Sequence, residues 1–426
     1  MLRLRCSTAA VVLVWASALH AQQAPAPAPA PGTDTATFPP IEPLPQQAPG
    51  ALPPADAQPL PPPAPVEAAK EEKPAPPDRL SVGKNGGFFQ PSALIQLWGQ
   101  VSHLDTQKTT TGFRLRRAEV RAKGDILPKK VSYYVGFDVT KIFSVTSGTS
   151  NVAVTGADGT SAGNATVPTT TISADRSPLQ DVYITYSTDY ADVVAGQFKI
   201  PIGLESLQSS ARLLFPERNK VDREYGDRRD IGIKVEKKIA DVFYYYVGIF
   251  NGNGQNTFNV DGKNAYDNDR AKDLGLRLEA YPIPGLTIGG AAYGTVGAGP
   301  KDTVRNRVEG DLRLEMADLI VQGSYIHGWT GPDARRLEGH GVYGALGYTI
   351  AEVIQPVLRL GYLDINTGDD IVPRTEPESG PQRQFEFGLN YFVKSWEAKL
   401  TGGLSYYSQE HGKDLTEFTV QTQVAF

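Results

Sequence analysis

Nowhere in its 426 residues does the chain hold an apolar run approaching the ~20 residues that a membrane-spanning helix needs. If it sits in a membrane, it is not there as helices. It has one cysteine, Cys6, within the first few residues, so a chain trimmed after an export signal keeps none. No basic tract is present and the net charge is −5, which argues against nucleic acid as a partner. Histidine is scarce, and past the first segment only His103, His327, His340 and His411 remain. None lies in a G-x-S-x-G or H-E-x-x-H context, so nothing marks an enzyme with an activated nucleophile or a zinc site. Asp261, Asp267 and Asp269 in NVDGKNAYDNDRAKD lack the spacing of an EF-hand calcium loop. No cofactor or metal follows from these residues.

What the chain does have begins with MLRLRCSTAAVVLVWASALHAQQ. Arg3 and Arg5 precede a short apolar stretch and then small residues, the layout of a secretory signal over residues 1–21, cut after Ala21 or Ala18. Residues 22–78 are dominated by proline and alanine. Proline removes amide donors and favours extended geometry, so this segment is a semi-stiff, disordered linker, with a periplasmic or cell-wall contact as its functional alternative.

After Asp78 the texture becomes an alternation of period two. In DLGLRLEAYP, Leu274, Leu276 and Leu278 oppose Gly275, Arg277 and Glu279; in RVEGDLRLEM, Val308, Leu312 and Leu314 oppose Arg307, Glu309, Asp311 and Arg313. Such segments are strands with one apolar and one polar face. Sixteen are expected, at 93–103, 113–124, 131–140, 179–188, 192–201, 228–238, 242–251, 273–281, 286–296, 305–316, 319–328, 340–350, 353–366, 383–393, 396–408 and 416–426. Their connections alternate strictly between tight turns and longer loops, which gathers the long loops at one end. That is an all-β, antiparallel transmembrane barrel over residues 79–426, with short periplasmic turns and long external loops. A soluble sandwich gives the same alternation but no reason for alternating loop lengths. Tyr281, Tyr348, Tyr391, Trp396 and Tyr406, near strand ends, suit interfacial girdles. The last strand, TEFTVQTQVAF, ends on an aromatic residue because closure requires it as wall. Sixteen strands leave an aqueous channel.

The third long loop, IGLESLQSSARLLFPERNKVDREYGD (202–227), carries Leu213, Leu214 and Phe215, which an external loop gains nothing by exposing. It is expected to fold inward and narrow the channel. In the second strand the apolar parity slips between Phe113/Leu115 and Ala118/Val120/Ala122, so a bulge is expected near Arg116. Arg117, Glu119, Arg121 and Lys123 then face the lumen. For Arg114 and Arg116 the alternative is a rim position against water or lipopolysaccharide.

RLRRAEVRAKGDI, GQFKIPIGLESLQSS followed by RRDIGIKV, YVGIFNGNG, FEFGLNYFV and the terminal QVAF resemble the O/P-type phosphate-selective porin family over about residues 88–426. The resemblance implies a sixteen-stranded homotrimeric porin of a Gram-negative outer membrane, set in lipid and lipopolysaccharide, whose basic residues pass small anions such as phosphate or polyphosphate. Candidate pore-lining positions are Arg212, Arg218, Lys220 and Arg223 in the third loop with Arg228 beside it. On the wall they are Arg117, Arg121, Lys234, Arg277, Arg307, Arg313, Arg359 and Lys399. Charge leaves a second reading open. Residues 79–426 keep 38 of the 42 basic and 40 of the 47 acidic side chains, and residues 202–227 hold four basic against five acidic. A general diffusion porin with weak or cation selectivity fits that balance as well; a plugged adhesin or an outer-membrane hydrolase fits it less well.

Overall fold

The computed structural model describes residues 80–82, 87–155, 161–174, 178–252, 254–255, 271–299, 304–331, 337–367, 380–410 and 412–426, with the side chains of all but 82 and 143–174. The expected signal and linker lie outside the described residues, as do Asp261, Asp267, Asp269 and His411. In chain order the strands are β1 (Leu80–Val82), β2 (Gly87–Leu104), β3 (Thr110–Leu127), β4 (Val131–Asp138), β5 (Phe143–Thr155), β6 (Ser161–Ala174), β7 (Leu179–Ser187), β8 (Asp192–Lys199), β9 (Arg229–Ile239) and β10 (Phe243–Phe250). There follow β11 (Lys272–Ala280), β12 (Leu286–Val296), β13 (Val304–Met316), β14 (Leu319–Gly331), β15 (Leu337–Tyr348), β16 (Ile354–Asp364), β17 (Gln382–Lys394), β18 (Ala398–Gln409) and β19 (Leu415–Ala425).

β2–β4 and β7–β19 make a sixteen-stranded antiparallel wall in which each strand pairs with the next. It closes where β19 pairs with β2, from Leu415↔Leu104 to Ala425↔Leu94. The terminal residue takes part: Phe426 N donates to Ala93 O at 3.1 Å and Ala93 N to Phe426 O at 2.7 Å. Closure leaves no unpaired strand edge facing lipid. β1 adds a short pairing to the start of β2.

Burial settles which solvent each face meets. On β11 the apolar Leu274, Leu276 and Leu278 are 46%, 43% and 42% exposed, while Asp273 and Arg277 are 1% and 2% exposed. β17 repeats the pattern: Phe385, Phe387 and Leu389 are exposed, and Gln384, Glu386 and Asn390 are buried. A water-soluble sandwich would hide the first set and expose the second. Apolar outside and charged inside is a barrel in lipid.

The expected strands match the observed ones to within three residues at each end, except that β2 begins at Gly87 where residue 93 was expected. The bulge is also present, since Gln96 faces Arg117 and Leu97 faces Leu115, leaving Arg116 as the extra residue. Two features differ. The second long loop contains the β5–β6 hairpin, a separate two-stranded sheet. Of the residues assigned to the girdles, Tyr281 and Trp396 turn inward: Tyr281 lines the lumen opening and Trp396 packs against the buried cluster of Leu214 and Phe215. Tyr348, Tyr391 and Tyr406 remain on the exposed face.

Two tight turns are made without glycine. Ala240 and Asp241 have φ of 49° and 54°, and Ala351 and Glu352 have φ of 51° and 60°. Val242 N donates to Ile239 O at 3.0 Å and Val353 N to Ile350 O at 3.1 Å, closing both as type I′ turns whose twist suits hairpins.

Candidate functional site: the lumen and its third loop

Between β8 and β9, residues 200–228 cross the inside of the barrel as a short helix α1 (Leu204–Leu207), a 3-10 turn (Ser210–Arg212) and a helix α2 (Lys220–Tyr225). Asn219 caps α2, its side chain accepting from Asp222 N at 2.8 Å. Leu213, Leu214 and Phe215 are 1–2% exposed, and Leu214 and Phe215 pack on Ile320, Tyr343, Ala345 and Val357 of β14–β16. α2 settles into a trough made by glycines of the inner wall. A Cβ on Gly328 or Gly339 would lie 2.7 or 2.6 Å from Tyr225, and one on Gly341 would lie 2.7 Å from Val221.

Polar contacts fasten the same loop around half of the wall. Gln96 of β2 donates to Ser210 O at 3.2 Å, Gln423 of β19 to Ala211 O at 3.0 Å, Lys399 of β18 to Leu213 O at 2.6 Å and Asn390 of β17 to Leu214 O at 3.0 Å. Glu217 receives Arg116 and Arg117 of β3, the latter at 2.9 Å. Burial pushes the Glu217 carboxyl up, but Arg117 and then Arg116 outweigh it and hold the group well below the usual carboxylate range. At the centre, fully buried Glu205 accepts from Asn219 N at 2.8 Å, Gln322 at 2.8 Å and Arg359 at 3.0 Å. Arg359 also bonds Glu386, and its Nη2 donates to Glu217 O at 2.9 Å.

These contacts decide the fate of the thirteen candidate cations. Arg117, Arg218, Arg359 and Lys399 are struts rather than free charges: Arg218 Nε donates to Glu205 O at 2.9 Å, and its Nη1 lies 3.7 Å from Asp227. Lys220 donates to Gln382 at 3.2 Å and lies 4.5 Å from the Tyr407 ring. Arg277 sits among Glu279, Asp311 and Glu309 at 2.7, 2.9 and 3.6 Å. Arg121 pairs with Glu119, Lys234 with Glu236 and Arg313 with Glu315. Arg212, Arg223 and Arg228 are exposed. Arg307 is 2% exposed, and its Nε and Nη1 have no hydrogen-bond partner among the described residues; its guanidinium carbon lies 5.9 Å from the Tyr225 ring. The rim alternative is overturned for Arg116, which reaches Glu217 inside the barrel, and Arg114 lies 4.5 Å over the inward ring of Trp98.

The loop leaves one side uncovered. Between it and β3, β4 and β7–β11 lies an opening of about 670 Å³. Its charged lining is Arg121, Lys199, Arg229, Lys234, Lys238 and Arg277 against Glu119, Asp181 and Glu279. Lys199, Arg229 and Lys238 are the three absent from the sequence candidates, although Lys238 shares the strand parity of Lys234. β8 loses its alternation at Gly196, where φ is +141° and Gln197 and Phe198 are both buried, so Lys199 turns to the loop and donates to Ser206 O and to Gln208 O at 3.2 Å. Arg229 opens its strand and grips Asp181 with two bonds of 3.0 and 2.9 Å.

Residues 98–298 match the family described as phosphate-selective porin O and P. Among solved structures, the anion-selective porin from Comamonas acidovorans is similar over 80% of this chain and 100% of its own, at 12% identity and a TM-score of 0.55. The outer membrane channel DcaP of Acinetobacter baumannii is similar over 81% and 99%, at 11% identity and a TM-score of 0.53. A loop-deletion mutant of OmpT, an outer membrane protein of Vibrio cholerae, is similar over 80% and 99%, at 13% identity and a TM-score of 0.51. No curated protein sequence matches the chain. At these identities the solved structures speak for the fold alone, a closed antiparallel barrel.

Proposed function

We propose that this outer-membrane porin, whose residues 98–298 belong to the phosphate-selective porin O and P family, passes small anions by diffusion through the opening beside its third loop. The observation that carries this reading is the excess of six cationic over three anionic side chains around that opening. Of the six, Lys199 alone donates to backbone carbonyls, those of Ser206 and Gln208, and has no ion-pair partner among the described residues. A positive field between low-dielectric walls concentrates anions, and arginine or lysine donors replace part of an oxyanion's water as it passes. Phosphate is one such solute. Export by residues 1–21, a spacer at 22–78, assembly as a homotrimer, and lipid and lipopolysaccharide around the apolar exterior complete the proposal.

A general diffusion porin of weak selectivity is the second reading, favoured by the pairing of Arg116, Arg117, Arg277 and Arg359 with acids. Planar-bilayer reversal potentials under a potassium chloride gradient separate the two. Anion selectivity that shifts toward cations in Lys199→Glu is expected; a cation-selective wild-type channel would overturn the proposal. Block of chloride current by added phosphate would narrow the solute to oxyanions, and its absence would leave a chloride-permeable channel without an oxyanion site.

A further inference from the structure

Resting on the anion-channel reading, we infer that the same opening contains a binding subsite for anions that carry an aromatic ring. Half of its uncharged lining is aromatic. Tyr134 of β4 and Tyr183 of β7 lie parallel, with centroids 5.3 Å apart and planes 8° apart, and Tyr183 meets the edge of Phe198 at 6.3 Å. Farther along the same wall are Tyr244 and Tyr246 of β10 and Tyr281 just after β11. Ammonium groups sit beside these rings: Lys234 Nζ lies 5.0 Å from both Phe198 and Tyr246, and Lys238 Nζ lies 4.4 Å from Tyr281. Rings and cations therefore share one water-filled space, of a size that holds small molecules.

Several polar groups there are engaged, while Gln180 Nε2, Gln208 Oε1 and Tyr246 Oη have no hydrogen-bond partner among the described residues. Tyr244 Oη donates to Glu236 and Tyr281 Oη to Glu279, while both oxygens of Asp181 are taken by Arg229. A flat ring finds tyrosine faces for offset stacking, and its carboxylate or phosphate finds Lys199 and the surplus positive field. Bare inorganic anions use only the second half of this lining.

Two probes of equal charge and similar size test the assignment, benzoate and cyclohexanecarboxylate, each titrated as a blocker of chloride current through the purified full chain in planar bilayers. Benzoate is expected to reach half-block at a concentration about three- to ten-fold lower, the range that aromatic stacking supplies. In Tyr134→Leu/Tyr183→Leu that difference should disappear while the chloride reversal potential stays as in the wild type. Equal half-blocking concentrations in the wild-type chain, or no block by either probe, would overturn the aromatic subsite and leave anion preference standing. A cation-selective reversal potential would overturn the anion reading and this subsite with it. The wild-type comparison decides the matter even if the double variant does not fold.

Discussion

Arg359→Met removes the side chain on which the docking of the third loop converges. Arg359 is 1% exposed, and its guanidinium bonds Glu386, both oxygens of Glu205 at 3.0 and 3.2 Å, and Glu217 O at 2.9 Å. Truncation leaves two carboxylates buried without a counter-charge, for which a cost of about 3–5 kcal/mol is usual. The lower end applies here. Glu205 keeps Asn219 and Gln322, and Glu386 keeps Gln384 and Ser405, each at 2.7–2.9 Å. The wall ladder is untouched, so the loss falls on loop docking rather than on closure of the barrel. About 3 kcal/mol raises the undocked fraction by roughly two orders of magnitude. Open-channel current noise should increase, and trypsin should cut the loop at Arg212 or Arg223 faster, while the heat-modifiable band of the folded barrel persists. Glu205→Gln/Arg359→Met/Glu386→Gln, which removes all three charges, should recover much of the loss, since neutral replacement of a buried ion group is often tolerated. Wild-type noise and proteolysis in Arg359→Met would refute the assignment of Arg359 as the anchor.

Other consequences follow from single contacts. Gly341→Val places a side chain where Val221 already stands, at 2.7 Å, and should displace α2 and raise conductance; Gly344→Val, with nothing within 4 Å, should leave conductance unchanged in the same recordings. Ala240→Asn/Asp241→Gly and Ala351→Asn/Glu352→Gly put turn-favoured residues where φ is positive, and each pair should raise stability by about 1 kcal/mol, read as a higher midpoint in heat-modified gels. Asp222 in α2 is pushed up to about 7 by burial and then by neighbouring Glu205, although Ser206 N donates to it at 2.9 Å. Because its folded value lies above the ordinary ~3.9, the docked loop binds the extra proton; docking is most favourable in acid and weakens as pH rises from about 4 through about 7. Channel noise should grow between pH 5 and pH 8, and Asp222→Asn should flatten that profile.

The barrel was legible because lipid and water impose opposite demands on alternate residues, and sixteen stretches obey them. The bulge at Arg116 was legible for the same reason, as a clash of parity between Phe113/Leu115 and Ala118/Val120. The β5–β6 hairpin was not, since SVTSGTSNVAVT and SAGNATVPTTTISA offer threonine but little apolar alternation to mark a face. Parity also fails where a strand begins or breaks, which is why Arg229 and Lys199 were missed; Tyr281 and Trp396 were placed by their nearness to strand ends, although Tyr281 shares the inward parity of Arg277 and Glu279.

Charge was the least legible property, and the reason is geometric. Counting residues 202–227 gives four basic side chains against five acidic ones and suggests a loop that opposes an anion. In the folded chain, however, Glu205 and Glu217 are spent on Arg359, Arg116 and Arg117, and Asp222 is driven toward its neutral form. Three of the loop's five acids are thus answered at the covered wall or driven neutral, while Glu224 and Asp227 stay exposed. On the uncovered wall of β3, β4 and β7–β11 the lining holds six cations against three acids, with Arg121, Arg229, Lys234, Lys238 and Arg277 each beside a carboxylate and Lys199 beside backbone carbonyls. No count over the sequence separates those two walls, because only the path of the loop across the lumen decides which charges are answered and which are left to the water.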